Sequence, residues 1–400
     1  MMKAATSSRV DIAAANRADI ASMSNHADGA NNCTSDTNNY TSHTVASNDV
    51  HGAAASAGPV QVRTFAAGDA PRWDRFVDAC PDATFFHRVG WRDILENVFR
   101  HRSHYLVAER DGAVCGVLPL AEIRSRLFGH ALVSLPFCVY GGPVASDAPA
   151  ETALIDAATH LGRALDVQHL ELRNRAPKRA DWPRQDLYVT FRKTLAPDAE
   201  ANMLAIPRKQ RAMVRKGINR QLRGEIDTSV DRFFDLYADN VHRHGTPALP
   251  KRYFAALVDT FGDACEILTV TDRAGHPVSG VMSFYFRDEV LPYYAGDTLQ
   301  SRELAANDFK YWELMRRATA RGVRVFDYGR SKRGTGSFDF KKNWGFSPAP
   351  LAYEYQLYAR SDIPQHNPLN PRYRAFIALW RMMPRRLANA LGPAIVRNLG

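Results

Sequence analysis

The 400-residue chain contains little cysteine and no long apolar run. Its five cysteines, Cys33, Cys80, Cys115, Cys138 and Cys265, form no Cys-x-x-Cys pair and no Cys/His cluster with zinc spacing. This pattern excludes a disulfide scaffold and predicts reduced, buried thiols without a metal site. No stretch is long and apolar enough to span a bilayer, and the first residues lack the apolar core of a secretory signal. We therefore expect a cytoplasmic protein, and leave open whether it sits at the inner face of the membrane.

Basic residues exceed acidic ones, which gives a formal charge of +10 and an isoelectric point near 9.4. A basic surface suits phosphate-bearing partners, such as nucleic acid, nucleotide-linked sugars or an anionic membrane. The charge does not choose among these partners, and plain solubility is an equally good explanation of it.

Composition changes divide the chain into five segments. Residues 1–58 are poor in large apolar side chains, which predicts a disordered tail. We then predict a first domain over 59–198, a basic connecting helix over 199–225 and a second domain over 226–360. The last segment, 361–400, is predicted to be a basic amphipathic tail that Pro384 divides in two. Such a tail either lies on a membrane or docks against the protein.

The two predicted domains repeat the same order of elements. A helix over 89–99 precedes a hairpin with Asp111-Gly112 at its turn, and a later helix covers 151–165. In the second domain, strands at 266–271 and 278–286 flank a turn at 273–276, and a helix over about 307–321 ends at Gly322. This order indicates an internal duplication and a mixed α/β (α+β) fold.

The densest polar and aromatic region covers 327–346 and begins where a strand is predicted to end. Ligands often bind in such strand-end loops, and Gly329, Gly334 and Gly336 would permit close backbone approach. The region lacks the glycine and lysine order of a Walker phosphate loop. It is either a binding site or an exposed basic loop whose aromatic residues plug the core.

Residues 309–312, 326–329 and 340–346, in and just before this region, resemble the C-terminal domain of FemAB-like acyltransferases. That family has two GNAT-like domains in tandem, and its best-known members pass an amino acid from aminoacyl-tRNA to an amine of a peptidoglycan precursor. The resemblance covers about residues 60–358 and is closest to the branch associated with exosortase (PEP-CTERM) and exopolysaccharide loci. It implies two tandem GNAT-like domains with mixed sheets flanked by helices.

The resemblance also implies roles for four residues. Lys341 would stabilise the oxyanion of a tetrahedral intermediate, and Phe340 would pack beside it. Asp327 would orient or deprotonate the acceptor amine, or make only local contacts. Arg330 would hold a phosphate or carboxylate. Further predicted substrate-binding residues are Lys342, Tyr294, Trp312, Arg88, Trp91, Arg211 and Arg215, the last two on a basic helix that either grips phosphate or is simply solvated.

No bound cofactor is expected, and the acyl donor stays open among aminoacyl-tRNA, acyl-CoA and an acyl carrier. Residues 301–308 lack the glycines with which GNAT enzymes grip the coenzyme A pyrophosphate, which disfavours acetyl-CoA. The expected acceptor is a phosphate-bearing sugar or a lipid-linked precursor. Two alternatives remain: a CoA-dependent N-acyltransferase acting on an amino sugar, and a non-catalytic protein that binds nucleic acid or polysaccharide.

Overall fold

A computed structural model describes residues 58–125, 129–364 and 371–398, with only the backbone described for 371–375. The predicted disordered tail lies outside these residues, apart from Gly58. The described residues belong to one compact unit.

Strands and short helices alternate along the chain. The strands are β1 (Gln61–Thr64), β2 (Arg102–Ser103), β3 (Leu106–Arg110), β4 (Ala113–Leu118), β5 (Ala121–Ser125), β6 (Gly129–Val133), β7 (Val144–Ala145), β8 (His169–Asn174), β9 (Arg184–Gln185), β10 (Tyr188–Thr194), β11 (Arg223–Asp227), β12 (Cys265–Thr271), β13 (Pro277–Phe286), β14 (Glu289–Asp297), β15 (Val325–Asp327), β16 (Ser331–Lys332), β17 (Pro348–Pro350) and β18 (Ala352–Leu357). The α-helices are α1 (Ala70–Ala79), α2 (Gly90–Phe99), α3 (Ala148–Ala164), α4 (Ala199–Ala205), α5 (Arg208–Asn219), α6 (Asp231–Arg243), α7 (Lys251–Phe261), α8 (Ser301–Leu304), α9 (Ala306–Ala320), α10 (Gly336–Asn343), α11 (Pro371–Met382) and α12 (Arg385–Val396).

Three sheets organise these strands. The first half of the chain builds a four-stranded antiparallel sheet in the order β1-β3-β4-β7. A six-stranded sheet follows in the order β2-β5-β6-β8-β18-β9, and an eight-stranded sheet in the order β11-β12-β13-β14-β15-β10-β16, with β17 also paired to β10. The two larger sheets are mixed, because β6 pairs parallel with β8, and β14 with β15. The predicted mixed α/β class is confirmed.

The two halves of the chain exchange strands. β10, from the first predicted domain, pairs with β15 and places Arg192 opposite Asp327. In return β18, from the second predicted domain, pairs with β8 and places Ala352 opposite Asn174. The predicted boundary at residue 198 therefore does not separate the sheets. Sequence periodicity could not reveal this, because it reports which face of a strand is buried and not which strand lies beside it.

One apolar core joins the halves. The rings of Phe85 and Phe284 stack with centroids 4.4 Å apart, and the fully buried Trp91 packs edge-on against both. Burial of this aromatic area fixes the halves against each other. The strand exchange and the shared core together hold rigid the side chains that meet at the junction between the halves.

Most predicted elements are present, with small shifts in their ends. The helix predicted over 89–99 is α2, and the Asp111-Gly112 turn joins β3 to β4 with φ values of 52° and 78°, as a tight hairpin requires. Two expectations are corrected. The connecting segment 199–225 holds two helices, α4 and α5, separated at Pro207, and the start of β11. The region 327–346, expected to be a loop, contains α10, whose N-cap Thr335 accepts a hydrogen bond from the Phe338 N–H.

Candidate functional site

The eight-stranded sheet opens where β14 and β15 part. These parallel strands pair only at Glu289 with Val325 and at Val290 with Phe326. β14 then continues to Asp297, whereas β15 ends at Asp327. Backbone groups beyond Val290 on this side of β14 have no β15 partner, so a ligand could occupy the space between the strands.

A β-bulge lies on β14 at this opening. Met282 of β13 pairs with Tyr294 and Ser283 pairs with Pro292, so Tyr293 is the extra residue. Bulges re-aim the backbone, and they are common beside active sites. The Tyr293 hydroxyl donates to the Phe137 carbonyl at 2.8 Å, which ties the bulge to the first half of the chain.

Five side chains meet beside the opening, and we name them the junction cluster: Tyr140, Thr190, Asp327, Arg330 and Lys341. Tyr140 and Thr190 come from the first half, and the other three follow β15 in the sequence. The strand exchange brings them together, because β10 carries Thr190 to the edge of β15.

Asp327 is the anchor of the junction cluster. Its carboxylate is fully buried, with 0% exposure, and accepts from the Gly329 N–H at 2.7 Å, the Tyr140 hydroxyl at 3.0 Å and the Thr190 hydroxyl at 3.2 Å. Arg192 lies 3.4 Å away and forms an ion pair with it. A carboxylate so enclosed cannot touch an acceptor amine in this conformation. The geometry gives Asp327 a positioning role, and its predicted role as a base would require the loop to open.

Lys341 holds the loop that follows β15. Its Nζ donates to the carbonyl oxygens of Tyr328 at 2.7 Å, Gly329 at 3.1 Å and Arg330 at 3.1 Å. Burial lowers the pKa of Lys341 to about 7, and the nearby Asp327 carboxylate opposes that shift. Three acceptors match the three N–H groups of the ammonium form, so the loop contacts favour the charged lysine. An oxyanion could bind this ammonium only in place of one of the carbonyls.

Arg330 is the exposed cation of the junction cluster. Its guanidinium stacks over the Tyr188 ring at 4.5 Å and donates to the Tyr353 hydroxyl at 3.3 Å. Within the described residues no carboxylate lies at ion-pair distance from it. A guanidinium that is held by aromatic rings and has no carboxylate partner suits a phosphate or carboxylate ligand, and this role of Arg330 stays a prediction.

The other predicted binding residues of the second half divide between this region and the core. Phe340 is half-buried and packs on Tyr311 and Trp344, and Lys342 is exposed on α10. Trp312, however, lies on the buried side of α9 and packs in the hydrophobic core, so it is not placed to line the opening. Tyr294 is half-buried, with its hydroxyl 2.9 Å from that of Tyr253.

The first-half residues predicted to bind substrate lie outside the junction cluster. Trp91 is fully buried and its indole N–H donates to the Phe85 carbonyl, which makes it a core residue. Arg88 is half-buried, and its nearest carboxylate, on Asp78, is 3.9 Å away. Trp91 is therefore corrected from a substrate-binding residue to a core residue, because α2 buries its ring against Phe85 and Phe284.

The first half contributes a small cavity of about 70 Å³, and Tyr140 is one of its lining residues. His87 lies in its wall: Nδ1 accepts from the Thr84 N–H at 3.0 Å, and Nε2 lies 2.9 Å from the Gly142 carbonyl oxygen, to which it donates. Burial lowers the pKa of His87 to about 4, so the ring is neutral. At Gly142 an added Cβ would lie 1.6 Å from Asn174 Oδ1, so only glycine fits.

Helix α5 presents a basic outer face. Gly217 lets the helix pack closely on α9, because an added Cβ there would lie 2.8 Å from the Cβ of Phe309. The predicted residues Arg211 and Arg215 lie on this helix, half-buried and exposed respectively. No ion pair holds either of them within the residues described, although Arg211 donates to the Leu204 carbonyl at 3.2 Å. The face is available to a polyanion, and among the side chains that the structure describes no hydrogen bond or ion pair joins it to the junction cluster.

The start of α9 carries negative charge. Asp308 in its first turn accepts from the Trp344 indole N–H at 3.0 Å, and burial raises the Asp308 pKa. Close by, the fully buried Lys310 ammonium lies 2.9 Å from Asp297. A carboxylate at a helix N-terminus interacts favourably with the helix dipole and repels a second anion at the same place. Among the residues described, no group of three or more His, Cys, Asp or Glu is placed to hold a metal ion.

Sequence reasoning did not find Thr190 and Arg192 or their contacts with Asp327. Both residues lie on a strand of the first half that reads as an ordinary half-buried strand. Their contacts with Asp327 span more than a hundred residues of sequence, so no local pattern contains them.

Comparisons with known proteins bear on the fold of the chain. Residues 206–342 match the model of the acetyltransferase (GNAT) domain. No curated protein sequence matches the chain.

Several solved structures share the fold. The crystal structure of FemX aligns with a TM-score of 0.58 at 15% identity, covering 74% of this chain and 97% of FemX. The C-terminal domain of a putative lysylphosphatidylglycerol synthetase from Agrobacterium fabrum aligns with a TM-score of 0.52 at 14% identity, over 73% and 93% of the two chains. L-PGS from Bacillus licheniformis gives 0.51 at 10% identity, over 78% and 96%. The fold is GNAT-like, and the exosortase branch of the resemblance stays a prediction.

Proposed function

With a GNAT acetyltransferase domain over residues 206–342 as the premise, we propose that the chain transfers an activated acyl or aminoacyl group to an amine. The amine would belong to a cell-envelope or exopolysaccharide precursor. The observation that carries the proposal is the opening between β14 and β15, with a bulge on one side and the junction cluster on the other.

The reaction requires an amine to attack the carbonyl of an ester or thioester. The carbon–nitrogen bond forms through a tetrahedral intermediate, which then expels the alcohol or thiol, and the amine proton leaves to solvent or to that leaving group. Backbone N–H groups of β14 near Tyr293, beyond the last residue that pairs with β15, would stabilise the oxyanion. Lys341 would act mainly by fixing the loop 328–330, and would reach the oxyanion only if it released a carbonyl.

Arg330 supports an anionic acceptor. Its position at the mouth of the junction cluster, on the aromatic support of Tyr188 and Tyr353, suits a phosphate or carboxylate of the precursor. Such a contact away from the reacting carbonyl would orient the amine and lower KM.

An RNA-linked donor is favoured over acyl-CoA. Asp308 in the first turn of α9 disfavours a pyrophosphate there, and the basic face of α5 offers a surface for a polyanion. By its name, one of the structural relatives makes an aminoacylated lipid, which accords with aminoacyl transfer. A CoA-dependent N-acyltransferase acting on an amino sugar is the second candidate, supported by the GNAT domain match itself.

A mass-spectrometric donor screen tests the proposal. The full chain is incubated with extracted envelope and polysaccharide precursors, and with charged tRNAs, acyl-CoAs or acyl carrier thioesters in separate reactions. We expect an acceptor to gain the mass of an amino-acid residue with charged tRNA. A gain with acyl-CoA alone would select the second candidate. No gain with any donor would refute transfer and favour a binding protein.

A further inference from the structure

The outer surface of the last two helices is unusually apolar. Nine large hydrophobic side chains are exposed among the described residues, and five of them lie on α11 and α12. These five are Phe376, Leu379, Met382, Leu387 and Leu391. We call their surface the tail face. Single exposed leucines are ordinary, but a cluster of this kind marks an interaction surface.

The inner side of the same helices is already docked on the protein. Trp380, Ala388 and Val396 are buried, and Gly392 lies close enough to Ala248 that an added Cβ would be 3.1 Å from its carbonyl oxygen. The Met383 carbonyl also accepts a hydrogen bond from the His242 ring at 2.9 Å. The tail face is therefore not the surface that attaches the helices to the chain.

The two helices display apolar residues on their outward sides at helical spacing. On α11, Phe376, Leu379 and Met382 recur every three residues. On α12, Leu387 and Leu391 are four residues apart, and Ala390 between them is also exposed. A helix with apolar residues on its outer as well as its inner side is normally covered on both.

The charged side chains of the segment that carries the tail face are all of one sign. Residues 363–400 contain six arginines and no lysine, aspartate or glutamate. Arg381 and Arg386 are exposed and have no carboxylate at ion-pair distance among the residues described, while Arg385 lies 3.7 Å from Asp239. Cations beside exposed leucines are complementary to a surface with anionic groups above an apolar layer.

We propose that the tail face binds the surface of an anionic lipid bilayer, with leucine and methionine side chains inserted and arginines on the lipid phosphates. Each helix has 12 residues, about 18 Å, and so is shorter than the apolar thickness of a membrane. No helix within the described residues is long and apolar enough to cross one. The helices would lie in the plane of the interface.

Vesicle co-sedimentation of the full chain tests this binding. Phosphatidylcholine vesicles are compared with vesicles containing about 30% phosphatidylglycerol, at low and high salt. We expect binding to the anionic vesicles, weakened by salt. The double variant Leu379→Ser, Leu391→Ser should bind about tenfold more weakly, because two inserted side chains are lost. The matched control is Leu204→Ser, Leu299→Ser, which alters two leucines that are similarly exposed elsewhere and should bind like the unaltered chain.

Three results would overturn the proposal. The first is no binding to anionic vesicles. The second is equal loss in the test and control variants. The third is a dimer in sedimentation without lipid that the Leu379/Leu391 variant dissociates, which would make the tail face an interface between two copies. Circular dichroism of both variants confirms that each remains folded. The binding measurement does not depend on transfer activity, so it stands or falls apart from the proposed function.

Discussion

Replacing Asp327 by asparagine distinguishes an anchor from a catalytic base. The substitution keeps the shape of the side chain and removes its charge. If Asp327 only took a proton from the acceptor, the variant would lose activity and keep its stability. The geometry instead predicts a loss of stability, because the carboxylate is fully buried and serves donors from both halves of the chain.

The magnitude follows from the contacts. Oδ1 accepts from the Gly329 N–H and Thr190, and Oδ2 accepts from Tyr140 and Arg192. An asparagine places an NH₂ group at one of these two positions, so in either orientation it faces groups that were donors. A buried donor left unpaired costs about 1–3 kcal/mol, and hydroxyl groups recover part of this by rotating. We expect Asp327→Asn to lower the free energy of unfolding by about 3 kcal/mol.

Urea denaturation followed by tryptophan fluorescence measures this free energy. Asp339→Asn is the matched control: Asp339 is exposed on α10 and has no ion pair within the described residues, so its loss should change the free energy of unfolding by less than about 0.5 kcal/mol. An Asp327→Asn variant as stable as this control would refute the anchoring role.

Three further changes test other parts of the account. In steady-state kinetics, Arg330→Gln should raise KM for the acceptor about tenfold and leave kcat within about threefold. An unchanged KM would contradict the anion-binding role of Arg330. Gly142→Ala should lower the free energy of unfolding by about 2 kcal/mol, because the added Cβ would clash with Asn174. Gly336→Ala is the control and should change it little, because an added Cβ there meets open space. Equal values for the two variants would contradict the close contact between Gly142 and Asn174. His87 has a pKa of about 4 in the folded chain, against 6.5 in the unfolded chain, because burial disfavours its charged form. The free energy of unfolding should therefore be highest above pH 6.5 and should fall by about 3 kcal/mol as the pH is lowered to about 4. Urea denaturation across this pH range, compared with a His87→Gln variant, would contradict this if the two profiles ran parallel.

The sequence predicted local elements well because their signals are local. The Asp111-Gly112 hairpin depends on backbone freedom at two residues, and α2 depends on an apolar face of five residues within one helix. α10 was missed because the glycines and basic residues of 327–346 are typical of a loop. Thr335 caps the first turn of α10, and Lys341 in its last turn donates to the Tyr328 carbonyl.

The candidate site was predictable only in part. Asp327, Arg330 and Lys341 stood out through one dense stretch of sequence. Thr190 could not be predicted, because the strand exchange that joins β10 to β15 has no sequence pattern of its own. For Trp91 and Trp312 the prediction of a substrate-binding role is wrong, because the fold buries both side chains in the core.

The transfer rate of a Lys341→Met variant tests most directly whether acyl transfer depends on the junction cluster. Methionine fills a similar volume but cannot donate to the three carbonyls that hold the loop 328–330. With the donor identified by the mass-spectrometric screen, we predict that kcat falls at least about tenfold, whereas Asp339→Asn on the same helix keeps the rate of the unaltered chain. A folded Lys341→Met variant that transfers at the unaltered rate would contradict the account.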